Sequence, residues 1–396
     1  MMRDVPERAN RGPALVVGAA IVTMAVGFVL KSPCLGSWAD GRQYNLLCYS
    51  DVAALYASDD RDRGLDEDRV PYLDGQNEYP VLTGLAMWLA AVPADSYPSF
   101  VWWNAVLLTA AAAATAWALH AFAGTRAVWF AVAPTLLVYG LVNWDLLAVA
   151  LATGATMAYL REKDGPAGVL LGLGAAAKLY PALLVIPFAI GRWRQGRRGD
   201  ARRLAGVAVL TWSAVNLPFA VFGFDRWSEF FRFNSSRGAD WDSLWYIAGQ
   251  VFGFTWDVAL LNLLSAGAFA VTAVLLWRTA SLRPGFRAWT FGFPLLVVFL
   301  LTNKVYSPQY GLWLLPWFAA TVPSLPLFVA FEVADVAVFV TRFQFFAELS
   351  GQGPGLPFWS FELAVVARAA VLIACVVAWI RAQAGEPAPE SALEAA

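Results

Sequence analysis

Long apolar runs constrain this chain more than any other feature. A bilayer core of about 30 Å needs about 20 apolar residues of helix, or somewhat fewer beside a thinned or protein-lined region. Runs of this kind fall near 13–30, 100–122, 127–142, 144–160, 204–222, 256–277, 287–302, 308–320, 324–341 and 359–380. The stretch 166–190 is equally apolar but carries Lys178-Leu179-Tyr180-Pro181 in its middle. Proline removes a backbone donor and disfavours helix in the residue before it. The stretch is therefore read as two short spans, 166–178 and 180–190, meeting at a turn. Twelve crossings result. Only 14% of the residues are charged, where a soluble chain carries about 25%. That shortage excludes intrinsic disorder, a nucleic-acid binder and a conventional soluble enzyme. The expected fold is all-α: a polytopic membrane bundle of about 12 transmembrane helices with juxtamembrane helices beside it. One domain is expected over 1–384, and the Ala-, Pro- and Glu-rich tail 385–396 is read as disordered.

Basic residues collect on the cytoplasmic side of a membrane. The N-terminus carries Arg3, Arg8 and Arg11, and the loop 191–203 carries Arg192, Arg194, Arg197, Arg198, Arg202 and Arg203. Arg126, Arg161, Lys163, Arg278, Arg283 and Arg287 flank other spans. All of these share one side only if the short apolar run 79–93 lies at the surface or dips in and returns. Both termini are then cytoplasmic. The first run has no small-residue cleavage site after it and reads as an anchor. The opposite, outer face receives loop 31–78, the corners at 143–145, 178–181 and 303–309, and the loops 223–255 and 342–358. Nearly every unusual polar cluster is on that face.

Each cluster has a bland reading beside a functional one. Cys34 and Cys48 can form a disulfide on an oxidising outer face or stand as two thiols. A bridge would restrain the loop just before Asp51. Asp51, in Tyr49-Ser50-Asp51-Val52, suits a general base held at a membrane face, and equally an N-cap. Glu78-Tyr79-Pro80 opens the run 79–93; Glu78 can hold a sugar hydroxyl, orient a cation or face a helix dipole. Asn143-Trp144-Asp145 interrupts a long apolar region, where an ionisable residue is a functional candidate by default; its alternative is a helix cap. The chain has only four lysines, and two of them, Lys178 and Lys304, lie at outer corners in apolar surroundings. A lipid phosphate is a natural partner there; snorkelling is the alternative. Tyr180 near one, and Tyr306, Ser307, Gln309 and Tyr310 near the other, argue against snorkelling alone. Loop 223–255 interleaves aromatics with charges, including Phe230, Arg237, Asp240 and Trp241, and reads as an interfacial helix ahead of a sugar-stacking surface. Gly168 and Gly172 read as a close helix contact, not a phosphate loop, because the Gly-Lys-Ser/Thr ending is absent. The single His120 lies near the cytoplasmic end of its span, which argues against an outer-face histidine metal site or a Ser-His-Asp triad.

In their order and common sidedness these pieces resemble the GT-C class of integral membrane glycosyltransferases. They are most similar to glycosyltransferase family 87, the polyprenyl-phosphate-mannose-dependent mannosyltransferases of actinobacteria. The matching residues are Tyr49-Ser50-Asp51-Val52, Glu78-Tyr79-Pro80, Asn143-Trp144-Asp145, Lys178-Leu179-Tyr180-Pro181 and Lys304-Val305-Tyr306-Ser307-Pro308-Gln309-Tyr310, spread over roughly 13–380. The resemblance implies transfer of a sugar, mannose first among the candidates, from a polyprenyl-phosphate donor to a lipid- or glycan-linked acceptor at the outer face. It makes Asp51 the general base of an inverting attack. Lys178 and Lys304 then face the donor phosphate. Glu78, Tyr79, Asn143, Asp145, Tyr180, Tyr306, Gln309 and Tyr310 hold sugar hydroxyls or orient those cations. No divalent metal or other cofactor is expected, because positive side chains are already available, although Asp51, Glu78 and Asp145 could converge on one. The expected setting is a monomer in the cell membrane, with no nucleic-acid partner. The other class compatible with the sequence is a polytopic transporter or lipid flippase. Such proteins place ionisable residues near the bilayer midplane, whereas these sit at span ends on one side.

Overall fold

The computed structural model describes residues 12–35, 40–56, 70–75, 77–322 and 324–384. The acidic run 59–68 and the tail 385–396 lie outside the described residues. Helices make up the architecture, and no strand occurs among the described residues. Each expected span has a helical counterpart, but their lengths differ widely. The chain opens with the long α1 (Gly12–Lys31) and, after the short α2 (Arg42–Asn45), α3 (Asp51–Tyr56) and α4 (Val81–Ala91), continues with the 27-residue α5 (Tyr97–Ala123). The run 127–142 is broken into α6 (Val128–Ala131) and α7 (Pro134–Tyr139), with Pro134 opening the second piece. Next come α8 (Asp145–Leu160), α9 (Asp164–Ala177), α10 (Tyr180–Arg194) and α11 (Arg198–Phe222). The loop 223–255 folds as α12 (Phe224–Trp227), α13 (Glu229–Ser236) and α14 (Leu244–Phe252). The remainder is α15 (Val258–Ser281), α16 (Gly292–Thr302), α17 (Leu315–Thr321), α18 (Leu325–Leu349) and α19 (Phe358–Ala382).

Among the described residues, five segments are long and apolar enough to cross a membrane: 12–34, 97–131, 198–222, 258–281 and 358–382. Several leave large apolar side chains exposed, among them Leu15 and Val22 on α1, Leu210 on α11, and Leu263 and Val271 on α15. Side chains of this kind, repeated along helices of spanning length, need lipid to cover them. This is the build of a multi-pass membrane protein. The short helices are the ones that carry polar corners. α4 has 11 residues, about 16 Å of helix at the standard rise, too little to cross alone. α9 and α10 have 14 and 15 residues. Lys178 between them is extended, and Tyr180-Pro181 begin α10, where a missing N–H costs nothing.

The bundle is built around α9, which packs against both α8 and α11, while α1 packs on α5 and α18 on α19. The α9–α11 contact needs glycine. A Cβ on Gly168 would meet the Leu204 carbonyl oxygen at 2.6 Å, and one on Gly172 would meet that of Ala208 at 2.5 Å. These are backbone atoms, which cannot move aside as a side chain end can. Gly172→Val is therefore expected to lower the thermal midpoint of the purified protein by several degrees or more, since overpacking costs about 1–3 kcal/mol even where side chains can adjust. Gly206→Val on α11, where an added Cβ meets nothing within 4 Å, should stay near the wild-type midpoint. Equal midpoints for the two variants would contradict the close contact.

Candidate active site

The polar corners meet at one end of the bundle, around a cavity of about 560 Å³. Asp51, Glu78, Tyr79, Asn143, Lys178, Tyr180, Lys304, Gln309 and Tyr310 all line it.

Asp51 is the first residue of α3. Its place is set by pairing with the corner before α8: its N–H donates to the Val142 carbonyl at 2.7 Å, and the Ser50 hydroxyl donates to Leu141 at 2.7 Å. The Tyr49 hydroxyl donates to Asp51 Oδ1 at 2.8 Å, and the Tyr79 hydroxyl to Oδ2 at 3.4 Å. Burial pushes the Asp51 carboxyl above its ordinary value. The Tyr49 hydrogen bond and the charges of Lys178 and Arg342 oppose that push, while Asp145 adds to it. The result is a carboxylate fixed in orientation and more basic than an exposed aspartate.

Lys178 occupies the bend between α9 and α10. Its Nζ lies 3.3 Å from Asp145 Oδ1 and 3.4 Å from Oδ2. The ammonium also sits 5.0 Å from the ring centre of Tyr310 and 5.6 Å from that of Tyr79. Asp145 is wholly buried behind it. Its Oδ1 accepts from Trp313 Nε1 at 2.7 Å, and its N–H donates to Asn143 Oδ1 at 3.0 Å. Asn143 thus takes the first N–H of α8, and the Asp145 side chain is left to the lysine. Trp313 is stacked between Tyr180, at 4.3 Å between ring centres, and Tyr310, at 4.1 Å. The ammonium thus faces the cavity on a rigid base of one carboxylate and stacked rings.

Lys304 lines the same cavity but has another engagement. Its Nζ donates to the Arg237 carbonyl at 2.6 Å and the Ser235 carbonyl at 3.2 Å, where α13 ends. Burial and the neighbouring Arg237 charge both lower its affinity for a proton. It holds α13 against the cavity as much as it presents a charge. Tyr306 departs from the expectation for it. It is buried outside the cavity lining, with the Arg368 guanidinium 3.7 Å from its ring centre. It alternates with Val305 and Ser307, which do face the cavity, and the backbone turns its ring into the bundle.

Behind Tyr306 lies a charged network that joins α18 and α19 to the turn before α14. Arg368 on α19 lies 3.2 Å from Asp335 on α18 and 3.9 Å from Asp242, and Asp242 also holds Arg342. Arg342 lines the cavity, so this network anchors one of its walls. α13 and the turn after it also line the cavity, through Phe230, Phe233, Asn234, Arg237 and Asp240. Loop 223–255 is thus part of the cavity rather than only a surface helix. Cys34 and Cys48 are bridged, with Cα atoms 5.7 Å apart. Among the described residues no three His, Cys, Asp or Glu side chains form a group suited to a metal ion, so Asp51, Glu78 and Asp145 do not gather as one.

The sequence model of glycosyltransferase family 87 matches residues 78–308, more than half of the chain. The protein belongs to glycosyltransferase family 87. It is a membrane glycosyltransferase, and the family match includes Glu78, Lys178 and Lys304 of the cavity lining and Asp145 behind Lys178. Asp51 lies before the matched stretch and joins this family-87 site only through the fold. No curated protein matches the chain. Among solved structures, ArnT from Cupriavidus metallidurans is similar over 93% of this chain and 77% of its own, with 15% identity and a TM-score of 0.43. That protein has been crystallised bound to undecaprenyl phosphate and in the apo state.

Proposed function

We propose that this glycosyltransferase moves a sugar, mannose first among the candidates, from a polyprenyl-phosphate donor to a lipid- or glycan-linked acceptor at the extracytoplasmic face. The observation that carries the reading is the pairing of opposite functions in one cavity: a carboxylate held by Tyr49 and Tyr79, and an ammonium held by Asp145. Asp51 takes the proton of the acceptor hydroxyl as that oxygen bonds to the anomeric carbon. The bond from that carbon to the phosphate oxygen breaks, and the polyprenyl phosphate leaves with the electron pair. Attack from the side opposite the leaving group inverts the anomeric configuration. Lys178 neutralises the charge that gathers on the leaving phosphate, a stabilisation that matters most where water is excluded. Lys304 and Arg237 border the same space. The aromatic lining supplies apolar faces for sugar rings, and Glu78, Asn143 and Gln309 supply polar groups for hydroxyls.

With cationic side chains placed in the cavity, transfer proceeds without a divalent metal in this reading. The test uses the purified protein in proteoliposomes with polyprenyl-phosphate mannose and an acceptor lipid fraction. Glycolipid product should form at the same rate with and without EDTA. A rate abolished by EDTA and restored by Mg²⁺ or Mn²⁺ would overturn the metal-free step. Passage of the labelled donor across the bilayer without product would instead support a flippase.

A further inference from the structure

Lys31 takes no part in the chemistry just described, yet its ammonium is buried against the loop that leads to the base. It ends α1 and is only 4% exposed. Its Nζ donates to the Tyr49 carbonyl at 2.9 Å and to the Leu47 carbonyl at 3.4 Å. The face of Phe339 lies 4.9 Å from it. A buried ammonium is costly unless hydrogen-bonded partners compensate it, and here two of those partners are carbonyls of a single turn.

That turn is strained. Leu47 has φ +56°, in the left-handed region where a side chain other than glycine costs about 1–2 kcal/mol. Such conformations persist only where the surroundings over-determine them. Three restraints do so here. The Lys31 ammonium holds the carbonyls on either side of Cys48, the Cys34–Cys48 bridge ties the next residue to the end of α1, and the Tyr49 N–H donates to Gln43 at 3.1 Å. Immediately after the turn stand Tyr49, whose hydroxyl orients the carboxylate, and Asp51 itself.

We infer that the end of α1 is a clamp for the catalytic loop, and that Lys31 is a positioning residue that acts through the Leu47–Tyr49 backbone on Asp51. The inference rests on the reading of Asp51 as the base, and it adds a requirement to that reading: correct placement of the base depends on a residue that never meets the substrate. Misplacing a reacting group by about 1 Å can cost about a hundredfold in rate. The donor phosphate meets the Lys178 side of the cavity and should not feel the change.

The experiment compares Lys31→Met, Lys31→Arg and the Cys34→Ala/Cys48→Ala pair with the wild type in proteoliposomes. It measures the binding constant for a non-hydrolysable polyprenyl-phosphate sugar analogue separately from kcat. Lys31→Met should bind the analogue within about twofold of wild type while kcat falls about ten- to a hundredfold. Lys31→Arg, which keeps a donor for the two carbonyls, should recover most of that loss. Should Lys31→Met fail to fold, the cysteine pair, which loosens the same turn from the other side, must show the same split. A kcat near wild type in the folded variant, or a loss of binding that accounts for the loss of rate, overturns the clamp. A wild-type protein that binds the analogue but forms no product overturns the transferase reading instead.

Discussion

Asp51→Asn is expected to reduce sugar transfer by about 10²–10⁴-fold, the range that general acid–base catalysis supplies. Asparagine preserves the shape of the side chain, and its oxygen can keep the shorter bond from the Tyr49 hydroxyl, but it cannot take a proton at neutral pH. Donor binding and thermal stability should therefore stay close to wild type. The wild-type pH profile carries the same information. The carboxyl is raised by burial, so the acid limb should lie above the ordinary aspartate value of about 3.9. The sign follows from the role: only the ionised form accepts the proton, so activity falls as pH drops through that value. In Asp51→Asn that limb disappears, and the residual rate becomes flat with pH.

Lys178→Met is the second large effect. Removing a cation aimed at developing charge costs about 10²–10³-fold in kcat. Here it also strips Asp145 of its ion pair while leaving that carboxylate buried, which is destabilising by about 3–5 kcal/mol when one partner of a buried pair is removed. The two consequences can be separated. Lys178→Met/Asp145→Asn removes the orphaned charge, so it should regain much of the lost thermal stability and none of the lost transfer. Recovery of transfer in the double variant would show that Lys178 serves the fold and not the phosphate.

Much of the cavity was legible in the sequence because polar residues inside apolar surroundings are conspicuous. Asn143, Asp145 and Lys178 stand at corners where long apolar runs break, and Pro181 marks the hairpin that presents Lys178. Sidedness from the basic loops then grouped these corners at one end, where they do meet. What stayed hidden has a physical reason in each case. Trp313 sits in an apolar run and reads as packing; its hydrogen bond reaches Asp145 across 168 positions. Asp335 and Arg368 stand in two different apolar spans, and nothing local shows that the two helices bring them together. Arg342 belongs to a wall that exists only once α18 and the loop after α13 meet. Tyr306 shares a corner with Ser307 and Gln309, and backbone direction alone turns it inward. Nothing around Lys31 in the sequence marks it, because the strained turn it holds lies 16 and 18 residues further on.

With Asp51 as the base, its loss must show in the formation of the glycosidic bond itself. The most direct measurement follows the sugar of a radiolabelled polyprenyl-phosphate mannose in proteoliposomes holding either the wild type or Asp51→Asn at equal folded amounts. Label should enter a new glycosidic product with the wild type, and at least about a hundredfold more slowly with the variant. Equal rates of product formation by the two proteins would contradict it.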